Sequence, residues 1–140
     1  MPISDVSVLT TAQWSSSSVA DLRSLNAAQW SMVATTSLRA ITPTQWSQLG
    51  SAELRALTAE QWAEMETSDL AAFVGPQWVG MATEDLRGIT PSQWRMMPDD
   101  ALRAMSGNQW GAIATDTLVA LTTGQWQALA SDDLRGLTAL

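Results

Sequence analysis

Residues 41–56 read ITPTQWSQLGSAELRA, and the whole chain of 140 residues is written in copies of this 16-residue unit. A Gln-Trp pair recurs at every sixteenth position, without insertion or deletion, from Gln13-Trp14 to Gln125-Trp126. A fixed period of this size is typical of a repeat architecture, in which each unit packs mainly on its neighbours. The sequence therefore says more about how the chain is built than about any chemistry.

Each unit consists of two related octads. The Trp octad, residues 41–48 and its equivalents, carries Gln at its fifth position and Trp at its sixth. The Leu octad, residues 49–56 and its equivalents, most often carries an acid at the fifth position and Leu at the sixth. Apolar residues three apart, such as Trp46 and Leu49, share one helix face, so each octad predicts a short helix. The lack of strict alternation argues against the rival reading, a β-helix with coils of the same length.

Helix-start signals recur in phase with the repeat. Thr58 is followed three residues later by Gln61, which is the spacing of a capping box, and Leu57 and Trp62 have the spacing of a hydrophobic staple. The equivalent predicted caps of the Trp octads are Thr10, Asn26, Thr42, Thr90, Ser106 and Thr122. In the Leu octads the predicted caps come one residue later, at Thr35, Ser51, Thr67, Thr83, Asp99, Thr115 and Ser131.

These helices are far shorter than the ~12–15 residues that an isolated helix needs, so packing must hold them. We predict an all-α solenoid of short paired helices, in eight 16-residue coils that form a single repeat domain over residues 1–140. The coils are approximately 1–16, 17–32, 33–48, 49–64, 65–80, 81–96, 97–112 and 113–128, with a partial coil at 129–140. The predicted core is the tryptophan ladder, Trp14, Trp30, Trp46, Trp62, Trp78, Trp94, Trp110 and Trp126.

Composition narrows the classes of function. The chain has no Cys, His, Lys or Tyr, so no thiol or imidazole is present to bind a metal or to activate a Ser or Thr hydroxyl. The net charge of −7 argues against nucleic acid and anionic membranes as partners. No apolar run approaches the ~18 residues of a membrane span, and the N-terminus shows no signal peptide. The compartment stays open between the cytoplasm and secretion within a larger protein.

One column of charge is a candidate recognition surface, because a solenoid displays each repeat position along one face. We predict an interaction stripe of Arg23, Arg39, Arg55, Arg87, Arg103 and Arg135. The alternative is that these residues complement acids of neighbouring coils and the C-terminal ends of helices. We predict no catalytic, metal-binding or cofactor-binding residue and no cofactor. The pairs Asp99-Asp100 and Asp132-Asp133 are interpreted as acids at helix starts rather than as catalytic carboxylates.

Several units depart from the pattern. Ala71 and Val119 stand in the arginine column, Val74 replaces the cap hydroxyl, and Pro98 lies at the junction of two helices. The chain also shows no polar capping coil at its C-terminus, which leaves end-to-end self-association open.

The octad Leu121-Thr122-Thr123-Gly124-Gln125-Trp126-Gln127-Ala128 resembles the LTTxQ-apolar-x-A octapeptide repeats of large proteobacterial adhesin-like or surface repeat proteins. The residues Leu9-Thr10-Thr11-Ala12-Gln13 fit the same pattern, whereas the Leu octads fit it less well. The resemblance implies a bacterial repeat region that serves as a scaffold or a binding surface, and it carries no catalytic residues.

We therefore expect a non-enzymatic structural or interaction module that presents a regular surface to a protein or glycan partner. The alternative is a bacterial polysaccharide-active or carbohydrate-binding protein, which would use exposed Trp and paired carboxylates. A third reading is an extended spacer within a secreted adhesin, or an ice-interacting surface built from the regular Thr positions.

Overall fold

The structure, a computed structural model, describes residues 3–129 and 131–137, the side chains of residues 131 and 132 excepted. Sixteen short α-helices and no strands occur in these residues, so the predicted all-α solenoid of short helices is confirmed. The helices are α1 Thr11–Ser16, α2 Val19–Arg23, α3 Ala27–Met32, α4 Thr35–Leu38, α5 Pro43–Gln48, α6 Ser51–Arg55, α7 Ala59–Ala63, α8 Thr67–Ala72, α9 Gly75–Val79, α10 Thr83–Gly88, α11 Pro91–Arg95, α12 Asp99–Ala104, α13 Gly107–Ala112, α14 Thr115–Ala120, α15 Thr123–Ala128 and α16 Ser131–Gly136.

The Trp octads begin their helices as the sequence predicts. The Thr58 hydroxyl accepts a hydrogen bond from the Gln61 backbone N–H at 3.2 Å, and the Gln61 Oε1 accepts from the Thr58 N–H at 2.7 Å. The same capping box forms at each of the other predicted caps of the Trp octads. Val74 has no hydroxyl, and only the bond from its N–H to the Gln77 Oε1 remains, at 2.8 Å. Side chains therefore satisfy N–H groups that a helix leaves without an internal partner.

The caps predicted for the Leu octads are wrong by one residue. The helices begin at Thr35, Ser51, Thr67, Thr83, Asp99, Thr115 and Ser131 themselves, so the cap is the residue before each of them. The reason is that both octads start their helices at the same position, whatever side chain stands there. At Gly50 the backbone N–H instead donates to the Glu53 carboxylate at 2.7 Å, which replaces the missing cap hydroxyl. The residue before Ser131 lies outside the described part of the chain.

The tryptophans form a buried cluster. The seven indoles from Trp14 to Trp110 are at most 1% exposed, and Trp126 is half-buried against the same core. Phe73 stands among three of them, with ring centroids 5.6–6.0 Å from Trp46, Trp62 and Trp78 in edge-to-face arrangements. The leucines at the sixth position of the Leu octads and the apolar residues that open each octad complete the core. Short helices without independent stability are held by this shared burial.

The closest neighbours of a helix lie three helices away in the chain. The main helix contacts are α3 with α6, α5 with α8, α7 with α10, α9 with α12, α10 with α13, α11 with α14, α12 with α15 and α13 with α16. Small residues permit this approach: a Cβ on Gly88 of α10 would come within 3.0 Å of the Ala59 Cα of α7. The sixteen-residue period is therefore a repeat of sequence, while the step of packing is longer. The division of residues 1–140 into sixteen-residue coils of one domain stays a prediction.

In the part of the chain that the structure describes, no helix combines the length and the apolar character that crossing a membrane requires.

Candidate functional site

The glutamine of each Trp octad connects distant helices. The Nε2 of Gln61 donates to the carbonyl oxygens of Trp30 and Val33, both at 2.8 Å. Equivalent pairs of bonds, to residues 31 and 28 positions earlier, are made by Gln45, Gln77, Gln93, Gln109 and Gln125. These carbonyls lie at the C-terminal end of the helix four positions back, where a helix leaves acceptors without internal donors. The six glutamines are buried and fix the relative position of the helices.

The arginine column meets helix C-termini. Arg55 Nε donates to the Gly80 carbonyl oxygen at 2.8 Å. Arg23, Arg87 and Arg103 reach the equivalent carbonyls of Gln48, Ala112 and Ala128, at 2.6, 3.1 and 2.5 Å. Each acceptor lies 25 residues later, on the helix three positions ahead. A cation at the negative end of a helix is stabilising, so these contacts support the structural alternative for the column.

The column also remains on the surface. All six arginines, including Arg39 and Arg135, have exposed side chains. Arg39 Nη2 pairs with the Glu64 carboxylate at 2.8 Å instead of a carbonyl. A guanidinium has five N–H donors, so the single bond to a carbonyl uses one of five. The contacts that hold these side chains in place are therefore compatible with the predicted interaction stripe.

A surface groove recurs in step with the repeat, and we call it the repeat groove. One copy, of about 530 Å³, is bounded by Arg23, Gln48, Ser51 and Gln77, and lies between α2, the α5–α6 junction and α9. The next, of about 500 Å³, has the residues sixteen positions later, Arg39, Glu64, Thr67 and Gln93. A third, of about 610 Å³, has Thr35 and Gln61 sixteen positions before Ser51 and Gln77. The repeat therefore builds a row of similar grooves, and the first two have an arginine at the edge.

The predicted carboxylate pairs are not brought into a common site with other acids. Asp99 and Asp100 are exposed in the first turn of α12, as expected for acids at a helix start. Asp133 is buried, and the side chain of Asp132 lies outside the described residues. Among the described residues, no three acidic side chains come together in a way that would hold a metal ion.

Two buried acids were missed by reasoning from sequence. Asp69 and Asp85 are 2% and 6% exposed and occupy the fifth position of their Leu octads. Burial raises the pKa of the Asp69 carboxyl to about 7, with a further contribution from the negative charge of Glu66. Burial also raises the pKa of Asp85, opposed by the Ala82 backbone N–H, the Trp62 indole and Arg55. The fifth position is also where the buried glutamines stand in the Trp octads, and this equivalence is the signal that was available.

The position of the tryptophans bears on carbohydrate binding. A sugar platform needs exposed indole faces, whereas the seven indoles from Trp14 to Trp110 lie in the core. The hydroxyls of the cap residues likewise point to backbone N–H groups of their own helices. The surface that recurs is instead the arginine-edged repeat groove.

No protein-family model matches this chain, and the comparison with curated proteins finds no match.

Proposed function

We propose that this protein is a non-enzymatic interaction module that binds an elongated protein or glycan partner along the repeat groove. The observation that carries the proposal is the recurrence of this groove at sixteen-residue steps, with an arginine at the edge of two copies. A partner with its own repeat, such as an extended peptide or a polysaccharide, can engage several copies at once. Such multivalent contact raises affinity without a single deep pocket.

The charge of the arginine edge favours acidic groups on that partner. Arg23 and Arg39 are exposed and held in position by their contacts with Gln48 and Glu64. Preorganised guanidinium groups bind carboxylate and sulfate oxygens with two parallel hydrogen bonds. We therefore expect acidic peptides or acidic glycans to bind more tightly than neutral ones, even though the net charge of the chain is negative.

The experiment is a binding screen against arrays of neutral and acidic glycans and extended peptides. The double variant Arg23→Gln, Arg39→Gln should weaken binding of any hit by about tenfold or more. The matched control is Arg95→Gln, which removes the same charge from an exposed position outside the column. Equal losses in the two variants would assign the effect to net charge and contradict binding at the groove.

We also propose that copies of the chain associate end to end. The observation is at Gln13, which forms its capping box but is exposed, and whose Nε2 meets no carbonyl among the described residues. The C-terminal carbonyls of a second copy would supply the acceptors that the later glutamines find within the chain. Light scattering over a range of concentrations tests this, because the monomer has a mass of 15.1 kDa. A mass that stays at this value at high concentration would contradict it.

A further inference from the structure

Departures from the repeat meet in one cavity between α8, α9 and α12. The cavity has a volume of about 380 Å³, and Ala71, Phe73, Val74, Trp78, Asp100 and Ala101 line it. Ala71 stands where most units have Arg, and Val74 where the other units have Thr, Ser or Asn. Phe73 stands where the other units have Leu, Ile or Met. Residues far apart in the sequence thus abandon the pattern at a single place in the fold.

The most informative departure is Ala101. A residue with a polar side chain lies 23 positions after six of the seven fully buried tryptophans, namely Ser37, Glu53, Asp69, Asp85, Thr117 and Asp133. The corresponding residue for Trp78 is Ala101. Asp85 shows what this position does, because its carboxyl interacts with the Trp62 indole N–H without reaching full hydrogen-bond geometry. At Trp78 the methyl group of Ala101 supplies no acceptor.

The indole of Trp78 is therefore a donor beside an open space. Trp78 is fully buried, and its Nε1 has no hydrogen-bond partner among the described residues. Both Trp78 and Ala101 line the cavity, so the volume that a carboxyl would fill in another unit is available to a ligand. A buried N–H without an acceptor is costly, and a ligand that supplies an oxygen recovers that cost.

The other walls define the class of ligand. Ala71, Phe73 and Val74 are apolar, and the Phe73 and Trp78 ring centroids are 5.6 Å apart. The exposed carboxylate of Asp100 also lines the cavity, which disfavours anions and accepts from an N–H or O–H donor. The volume lies at the lower end of the roughly 300–1,000 Å³ range of small-molecule sites.

We propose that this cavity binds a small aromatic or branched aliphatic amide. The amide oxygen accepts from the Trp78 Nε1–H, its N–H donates to Asp100, and its apolar group packs on Phe73 and Val74. This site is a property of one place in the array, in contrast to the repeat groove.

The test uses benzamide, benzoate and toluene as probes on the full chain labelled with ¹⁵N. Each Trp gives a separate indole N–H resonance, and assignment identifies that of Trp78. Benzamide should shift this resonance saturably, with a dissociation constant on the order of 1 mM. Toluene lacks the acceptor and benzoate is repelled by Asp100, so both should bind at least about tenfold more weakly.

Two variants serve as controls. Ala101→Asp restores an acid as in other units and fills the cavity, so benzamide binding should be lost while the protein remains folded. Ala101→Leu fills the same space without a charge and should also abolish binding, which covers the case in which the buried acid prevents folding. Benzamide that still shifts the Trp78 resonance in a folded variant, or that leaves it unmoved in the parent, would overturn the proposal. So would equal affinities for benzamide and benzoate.

Discussion

The Nε2 of Gln61 donates to the carbonyl oxygen of Trp30 at 2.8 Å, although 31 residues separate the two. The Oε1 of the same side chain accepts from the Thr58 N–H at 2.7 Å. One amide thus caps the N-terminus of its own helix and the C-terminus of a helix four positions earlier. Helices this short have almost as many terminal backbone groups as internal ones, so this double use of Gln satisfies groups that would otherwise be buried without partners.

Replacement of this side chain should be costly. We expect Gln61→Ala to lower the free energy of unfolding by about 2–4 kcal/mol, because buried donors and acceptors at three backbone positions lose their partner. Gln13→Ala is the matched control, since Gln13 forms the same capping box but is exposed. It should cost about 1 kcal/mol or less. Urea unfolding of both variants gives the comparison, and equal losses would mean that the bridge between helices contributes nothing.

The tryptophan core gives a second prediction. Trp62 is fully buried and its ring packs at 5.9 Å on Phe73. We expect Trp62→Ala to destabilise the protein by about 3–5 kcal/mol, as the truncation of a large core side chain does. Met96→Ala, at a side chain that is 65% exposed, should stay within about 0.5 kcal/mol of the parent. Thermal unfolding followed by circular dichroism is sufficient, and a Trp62→Ala midpoint within a degree or two of the parent would contradict the buried ladder.

Much of the local structure could be predicted from the sequence. Capping chemistry identified the helix starts at Thr10, Thr42 and Thr58, and the spacing of apolar residues identified the buried indoles. Both signals act within one octad. The helix starts of the Leu octads were misplaced because Ser51 carries a hydroxyl at the first helical position, while the acid at Glu53 does the capping.

The contacts between octads could not be predicted. A period shows which positions are equivalent, but the helix that each one meets depends on the angle between consecutive helices, which no residue type encodes. The partners of Gln61 at Trp30 and of Arg55 at Gly80 therefore appear only in the structure. The same applies to the cavity at Trp78, where Ala101 is 23 residues away in sequence.

The arginine column gives a third prediction. The bond from Arg55 Nε to the Gly80 carbonyl is exposed, so solvent competes for both groups. We expect Arg55→Ala to cost about 0.5–1 kcal/mol, the value of an exposed hydrogen bond at a helix C-terminus. Ala71→Arg reverses the change in a unit that lacks the arginine, and it should stabilise by a similar amount through the Met96 carbonyl 25 residues later. A loss above 2 kcal/mol in Arg55→Ala would make the column a structural element rather than a displayed one.

Asp69 gives a prediction about pH. Burial raises its pKa in the folded protein from the ordinary value of 3.8 to about 7. Between these values the unfolded chain has released the proton that the folded chain retains, so stability falls as the pH rises and levels off above about pH 7. Each unit of separation corresponds to about 1.4 kcal/mol, so the loss is on the order of a few kcal/mol. Asp69→Asn removes this titration, and the variant should therefore gain stability relative to the parent between pH 5 and pH 8 by urea unfolding. Asp116→Asn changes an exposed acid and serves as the control, with little change in the same difference. If Asp69→Asn and the parent lose stability equally over this range, the Asp69 carboxyl is ionised in the folded protein well below pH 7.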